Sequence, residues 1–566
     1  TTAAINTVVP PLADWPHNTA RVTMKTREAV LDGVKHSLDA LGVATPAGAP
    51  QPAELLKRIA ALEKRVDDVP PGGKPHLAFL RAVASGWNDA EPLLGTDVRA
   101  DRDAFRAFVA EERKSAFVER IELFYDSPLA RQGVTLVDTP GADSINARHT
   151  GVAFNYMKNA DAIFFVTYYN HAFSRADRQF LEQLGRVKDA FELDKMFFVV
   201  NAADLAASEA ELQDVLQHVA QNLLAFGVRH PRLFPVSSLQ ALQAKQAKDA
   251  AAAAMSGIAA FEAQFERFAQ TELAGLAYRA AGAELPRAAH LVATALQGAK
   301  AGEAERQNEL ARLASSEALA REAAKQFDVE TIRAEVAKEA GEQLYYVKQR
   351  FQHRFGEWYA ASFNPSTLRE DRGDVKAMLA FAWRDLTQYL QTELVNEALA
   401  VSLRLERYLK RALKEAVQRS NDRIARVADA FEPPAWEDPA FRTPEIESVW
   451  EGEAPDAKLL SAHYKNAKHF FAGDGRKQLR EALEKRWTPI VGEAVDALGG
   501  TFASWIDEEL ARVGRDVEAK REAALAQSFE SARTAWERPL DPAETERTLR
   551  RLEQLRDAFE ATSRME

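Results

Sequence analysis

Short apolar runs alternate with helix-like segments through the first 240 residues. RIELFY (120–125), VTLVD (134–138), AIFFVTYY (162–169), KMFFVVN (195–201) and LFPVSS (233–238) each gather several apolar or aromatic residues in succession. Runs of this length bounded by polar segments predict strands buried on both faces. Stretches such as RADRQFLEQLGRVKDAF separate them and read as crossover helices. Strand and helix in alternation predict an α/β domain with a mostly parallel sheet and flanking helices.

After residue 240 the pattern changes. Five alanines precede Met255, SGIAAFEAQFERFAQ follows, and the chain from about 283 to 430 is rich in Ala, Glu, Arg, Lys and Leu. Leu394, Ala398, Val401, Leu405, Tyr408 and Ala412 step by 4, 3, 4, 3 and 4. That spacing lays one apolar stripe on a helix, which Leu409 and Leu413 widen. Helices this long pack as a bundle or antiparallel coiled coil. The stretch 476–566 resumes the same pattern. Between the two arms, 431–475 carries Pro433, Pro434, Pro439, Pro444 and Pro455. Proline removes donors and breaks helices, so this stretch is expected to form a far tip joining two helical arms. The organisation expected is an α/β domain over 1–275, a helical neck and trunk over 276–430, a tip over 431–475 and returning helices over 476–566.

The chemistry sits at the ends of the expected strands. Asp138 closes VTLVD, where its carboxylate could hold a water on Mg²⁺. Gly141 follows in DTPG, where the backbone can approach a γ-phosphate and donate its N–H. Asn201 lies 63 residues beyond Asp138, in VVNAADLA, and Asp204 follows three residues later. In an Asn-x-x-Asp reader the aspartate accepts from guanine N1 and N2, and the asparagine ties neighbouring loops. Ala202 stands where such a motif usually has lysine. The ordinary alternative is a helix cap after a strand. Ser237 and Ser238 end the last run, where a loop would touch the base. Thr2, with Thr1 in reserve, precedes the strand INTVV and suits a first switch threonine, a ligand of Mg²⁺. Together these residues predict binding of GTP with Mg²⁺.

The phosphate cradle G-x-x-x-x-G-K-[ST] has no match in the 566 residues. PPGGKPH comes nearest, but Pro75 stands where the hydroxyl belongs. Motif order puts the cradle ahead of the switch threonine, so it is expected before Thr1 in a longer protein. Loss of the cradle is the rival expectation.

Composition narrows the function classes. The formal net charge is -11, which argues against nucleic acid as the partner and against a GTPase working on ribosomes or tRNA. There is no cysteine, hence no disulfide, thiolate metal site or Cys nucleophile, as suits a reducing cytosol. Within 431–475, Trp436, Phe441, Trp450, Phe470 and Phe471 accompany Lys458, Lys465 and Lys468, with Arg476 and Lys477 just beyond. Aromatics beside cations suit an anionic lipid surface. Phe470 and Phe471 are the first choice for membrane contact. The alternative is that these rings fill a small core at the tip.

TTAAIN, VDTPGADSINARHT, NADAIFFVTYYNHAFS and KMFFVVNAADLA resemble the switch and guanine-recognition segments of the bacterial dynamin-like proteins. FNPS (363–366) and YKNAKHFFAGDGRKQLREAL (464–483) resemble segments of their helical part. The likeness is to the two-headed type, in which two dynamin units share one chain. It implies a large GTPase domain, a neck, a helical trunk and a membrane-touching paddle. It further implies membrane tethering, fusion or remodelling linked to GTP, by a cytoplasmic protein peripheral on the inner face of the cell membrane. Partners would be a second head, through paired G domains and trunks, or a second unit in the same chain. The 136 residues from Thr2 to Asp138 imply a helical insertion, with helices at PAELLKRIAALEKRVDDV and DAFRAFVAEERKSAFVERI. Ala142 follows Gly141 where small GTPases have a water-positioning glutamine. Relatives without that glutamine use cradle residues, a monovalent cation and a dimer partner. A scaffold or tether that keeps the fold without handling nucleotide is the alternative.

Overall fold

The computed structural model describes residues 4–43, 52–63, 73–139, 160–172, 177, 181, 195–226, 228, 231–270, 274–325, 329–368, 374–444, 446, 450, 454–537 and 540–563.

Among the described residues the apolar runs form two sheets. The first has five strands in the order β3-β2-β4-β1-β5, with β1 at Ile5–Val9, β2 at Thr19–Met24, β3 at Asp97–Ala100, β4 at Val118–Phe124 and β5 at Leu136–Asp138. Only β1 and β4 run parallel; the other pairings are antiparallel. The second sheet is parallel throughout, in the order β6-β7-β8, with β6 at Ile163–Tyr168, β7 at Met196–Asn201 and β8 at Arg232–Val236. All five runs read from the sequence are strands, but the mostly parallel expectation describes only the second sheet. The first is mixed because β2 returns directly after β1, and a short return forces antiparallel pairing somewhere in the layer. Helix α1 (Arg27–Ala40) and α2 (Lys74–Ala90) cover the first sheet with Val30, Val34, Leu38, Leu80, Val83 and Trp87. Helix α3 (Glu209–Ala225) covers the second with Val219 and Leu223. Helices α4 (Ser238–Ala247) and α5 (Ile258–Phe268) follow β8, and α5 sets Phe261, Phe265 and Phe268 edge-on to Phe197 of β7.

Long helices follow: α6 (Ala274–Lys300), α7 (Glu303–Ala324), α8 (Val329–Ser362), α9 (Val375–Ala425), α10 (Gly475–Glu537) and α11 (Pro542–Ser563). Polar ties fix their directions. Glu317 meets Arg533, the Ala324 carbonyl accepts from Arg521, Arg333 meets Asp507, Lys348 meets Asp496, and Tyr359 donates to the Arg476 carbonyl. Numbers rise along α7 and α8 as they fall along α10, so this pair is antiparallel. By contrast, Trp383 of α9 packs on Trp487 of α10, and Arg521 donates to Ser420, so α9 and α10 run parallel. The stripe Leu394, Ala398, Val401, Leu405, Leu409, Ala412 and Leu413 is buried in the trunk core, with Tyr408 packed against it. Helix α6 pairs with α11: Gly282 abuts Phe559, and Lys300 meets Glu546. Among the described residues, no helix is long and apolar enough to cross a membrane.

Parallel neighbours need a connection that runs the length of both, and this overturns the placement of 431–475 at a tip. The segment is a strap. Glu432 bonds Ser528, Glu437 meets Lys520, the Ala440 carbonyl accepts from Arg512, the Arg442 carbonyl accepts from Trp505, Trp450 packs on Trp487, and Asp456 meets Arg486. It descends α10 from residue 528 to 486, roughly 60 Å at 1.5 Å per helical residue. The prolines keep it extended, which leaves its carbonyls open to side-chain donors from α10. Only its end, with short helices at Ala457–His463 and Ala467–Ala472, lies where α10 begins.

Candidate nucleotide site

Parallel strands gather loops at their carboxyl ends, where ligands of open α/β sheets bind. In the second sheet Tyr168, Asn201 and Val236 are in register across β6, β7 and β8. Asn201 therefore ends its strand beside the turn into α4. Its Oδ1 accepts from Ala202 N at 2.8 Å and from Ser238 N at 3.1 Å. One side chain thus holds its own loop and the neighbouring one. Ala202 is in the left-handed region at φ 61, and this turns the chain into the short helical turn Ala203–Leu205 that presents Asp204 to solvent. Ser237 is buried. It caps α4 by accepting from Gln240 N at 3.3 Å, and its own N–H donates to the Ser256 carbonyl at 2.9 Å. Ser238 is exposed beside it.

Asp138 ends β5 and is exposed. Antiparallel pairing puts it opposite Asn6, whose Nδ2 lies 3.5 Å from Asp138 Oδ2. The start of β1 and the end of β5 therefore share one side of the first sheet. Thr1, Thr2 and Gly141 lie outside the described residues.

Sequence reading missed a brace. Glu211 accepts from Tyr169 Oη at 2.9 Å and from Ala207 N at 3.0 Å, which ties the loop after Asp204 to the end of β6. Burial pushes the Tyr169 phenol up, and the Glu211 carboxylate adds to the shift. The spacing of Ser208 and Glu211 is that of a capping box, the one signal that pointed there. Ser208 does cap α3, accepting from Glu211 N.

The membrane residues named from sequence lie mostly inside. Phe470 is 0% exposed and packs on Tyr464 and Phe471. Phe441 is buried against Trp505, and Trp436, Trp450 and Phe471 are partly buried against the trunk core. A strap along a bundle turns its rings inward because that is where the apolar groove lies. The alternative, rings filling a core, describes these five, although the core is the trunk's own. Lys465 and Lys468 are exposed, as are Lys458 and Lys477.

An α/β head in which the Asn201 side chain ties two strand-end loops is set on a long helical bundle. Residues 96–203 match the family model described as Dynamin family; the match contains Asp138, Gly141 and Asn201 and ends one residue before Asp204. Dynamin-like protein A of Bacillus subtilis (strain 168) is 29% identical over 436 residues, 76% of this chain and 35% of that protein. An uncharacterized protein in the xynA 3' region of Caldicellulosiruptor sp. (strain Rt8B.4) is 29% identical over 158 residues, 27% of this chain and 37% of that protein. The chain is similar to these proteins over the matched stretches, which span about a third of the length of these curated relatives. Among solved structures, a chain of an oligomerised bacterial dynamin pair described as tethering membranes aligns with 99% of this chain and 72% of its own, at TM-score 0.40 and 15% identity. The LeoA bacterial dynamin GTPase from ETEC aligns with 72% of this chain and 81% of its own, at TM-score 0.23 and 14% identity.

Proposed function

We propose that this chain belongs to a dynamin-like protein that binds GTP with Mg²⁺ and couples hydrolysis to membrane tethering or remodelling. The observation that carries the reading is the Asn201 side chain, which joins the ends of β7 and β8 through two backbone amides and leaves the Asp204 carboxylate outward. A carboxylate fixed there can accept from both guanine N1 and N2, where adenine offers no matching donors. The exposed Asp138 carboxylate fits a water on Mg²⁺, and Mg²⁺ bound there would neutralise charge on the phosphates.

The sheet edges also support the reading. β5 closes one edge with Leu136 and Val137 each 38% exposed, and β6 closes another with Phe164, Val166 and Tyr168 exposed. A strand leading into the phosphate cradle would pair with such edges and cover those side chains. Slow hydrolysis by a single head, speeded when heads pair, follows from Ala142 standing after Gly141. A monovalent cation and a second head, or a second unit in the same protein, would complete the site.

Membrane contact in this proposal moves from rings to cations. Exposed Lys458, Lys465, Lys468 and Lys477 lie on or beside the strap end, and each cation near an anionic bilayer contributes about 1 kcal/mol. That fits a peripheral protein on the inner face of the cell membrane.

The deciding experiment is calorimetric titration of the full-length protein with GTP and ATP, before and after Asp204→Ala. GTP is expected to bind more tightly than ATP and to lose several-fold or more in the variant. Equal affinities for the two nucleotides would overturn the guanine assignment and favour a scaffold that handles no nucleotide.

A further inference from the structure

Helix α9 is apolar on two sides over a short stretch. Leu394, Ala398, Val401 and Leu405 face the trunk core. Leu399, Ala400 and Leu403 belong to a different core, shared with Phe165 of β6, Phe198 and Val200 of β7, and Val219 and Leu223 of α3. Val395 packs at its margin, so Val395, Leu399 and Leu403 form a second stripe spaced i, i+4, i+8. Ile446 of the strap packs against both cores. One turn-rich region lower, Gly42 follows α1 at φ 76, and a Cβ there would run into the Arg384 guanidinium. The head therefore rests on one trunk helix at two places, the turn after α1 near Arg384 and the second sheet at Val395–Leu403.

A helix at the edge of a bundle needs only one apolar stripe. A second stripe, filled by a sheet face, marks an interface. That sheet also needs a layer on each face: α5 supplies one, and α3 together with α9 supplies the other.

We propose that the Val395–Leu403 face of α9 is a docking surface that holds the head on the trunk, and that its engagement sets the order of the Asn201 loop. Strands β6 and β7 connect the two ends directly: Phe198 and Val200 touch the shared core, and Asn201 is the next residue after Val200. Loosening the docked layer frees the strands, and the amides that Asn201 holds then open more often. The consequence for nucleotide rests on the guanine-site reading, whereas the docking itself does not.

The test needs no nucleotide. The chain has no cysteine, so Gln221→Cys on α3 and Lys414→Cys on α9, both exposed, take a spin-label pair cleanly. In the full chain, double electron–electron resonance is expected to give one narrow distance distribution. Leu399→Ser with Leu403→Ser should broaden and lengthen it while trunk helicity by circular dichroism stays constant. Leu399→Met with Leu403→Met, which conserves volume, should restore the narrow distribution. Amide exchange at Ala202 and Ser238 should quicken tenfold or more in the serine variant. If that variant does not fold, Leu403→Ala is read in the same way. An unchanged distance distribution overturns the docking. Exchange that quickens only within 395–403 overturns the link to the Asn201 loop. Failure of GTP selectivity in the calorimetric experiment leaves both of these results standing.

Discussion

Asn201 offers one acceptor oxygen to two amides, so its removal leaves two donors without that partner. Asn201→Ala leaves the Ala202 and Ser238 N–H groups without their partner, a loss of about 1–3 kcal/mol if they stay shielded. Faster amide exchange at those two positions, with the trunk unaffected, is the expected outcome. Lys25 is a second residue with a definite signature. It follows β2 directly and is buried, donates to the Ala116 carbonyl at 3.0 Å, and is pushed down to about 8 by burial, with Glu119 opposing the shift. Below pH 8 the ammonium is charged in both the folded and unfolded chains, and its burial cost is present in full. Between about 8 and the ordinary 10.5 the folded form has shed its proton while the unfolded form has not, so stability rises with pH. Lys25→Met should flatten that rise. Urea unfolding followed at pH 7.5 and pH 9.5, in parent and variant, checks it; equal slopes with pH would count against it.

The strap and the helix pairs belong to the element scale. Trp505 Nε1 donates to the Arg442 carbonyl at 2.7 Å, and Arg512 donates to the Ala440 carbonyl at 2.7 Å. An extended segment with five prolines has few bonds of its own, so donors from α10 supply its order. Trp505→Phe removes one donor and should cost about 1 kcal/mol. Limited proteolysis should then cut within 436–446 sooner than in the parent. Arg350 and Arg354 of α8 reach Glu397 and Glu393 of α9 at 2.7 and 3.4 Å. These half-shielded pairs fix the helix register rather than adding net stability. Periodicity found the α9 stripe because a helix buried against neighbours repeats its contacts every 3 or 4 residues. Periodicity did not find the parallel sense of α9 and α10, because spacing within a helix carries no information on the direction of its neighbour.

At the scale of the whole molecule, the membrane proposal separates two kinds of residue. Phe470 is fully buried, so Phe470→Ser is expected to destabilise by a core-cavity amount, about 3–5 kcal/mol for Phe→Ala in a core. Its liposome effect would follow from unfolding. Charge reversal at Lys465 and Lys468 leaves that core alone. It should abolish sedimentation with anionic vesicles at low salt without shifting the melting temperature, and the parent's binding should weaken as salt rises. Undiminished sedimentation of the reversed variant would place the membrane contact elsewhere.

From the sequence by itself came the alternation of strands with helices, the change of regime after residue 240, the apolar stripe of α9, and the placement of Asn201, Asp204, Ser237 and Ser238 at strand ends; that β5 and β6 keep exposed side chains instead of being buried on both faces did not. The former are local matters. Strand alternation, helix period and loop chemistry are written in neighbouring residues, so one chain suffices to read them. Tertiary structure alone decided that the head comprises two sheets, one of them mixed, that α9 and α10 run parallel, and that 431–456 is a strap rather than a tip. It alone turned Phe470 and Phe441 inward and showed that Val395, Leu399 and Leu403 meet the head. Each of these depends on which apolar surface finds which partner elsewhere in the folded chain. Hydrophobic burial is non-directional: it says that a face will be covered, and only the folded chain says by what.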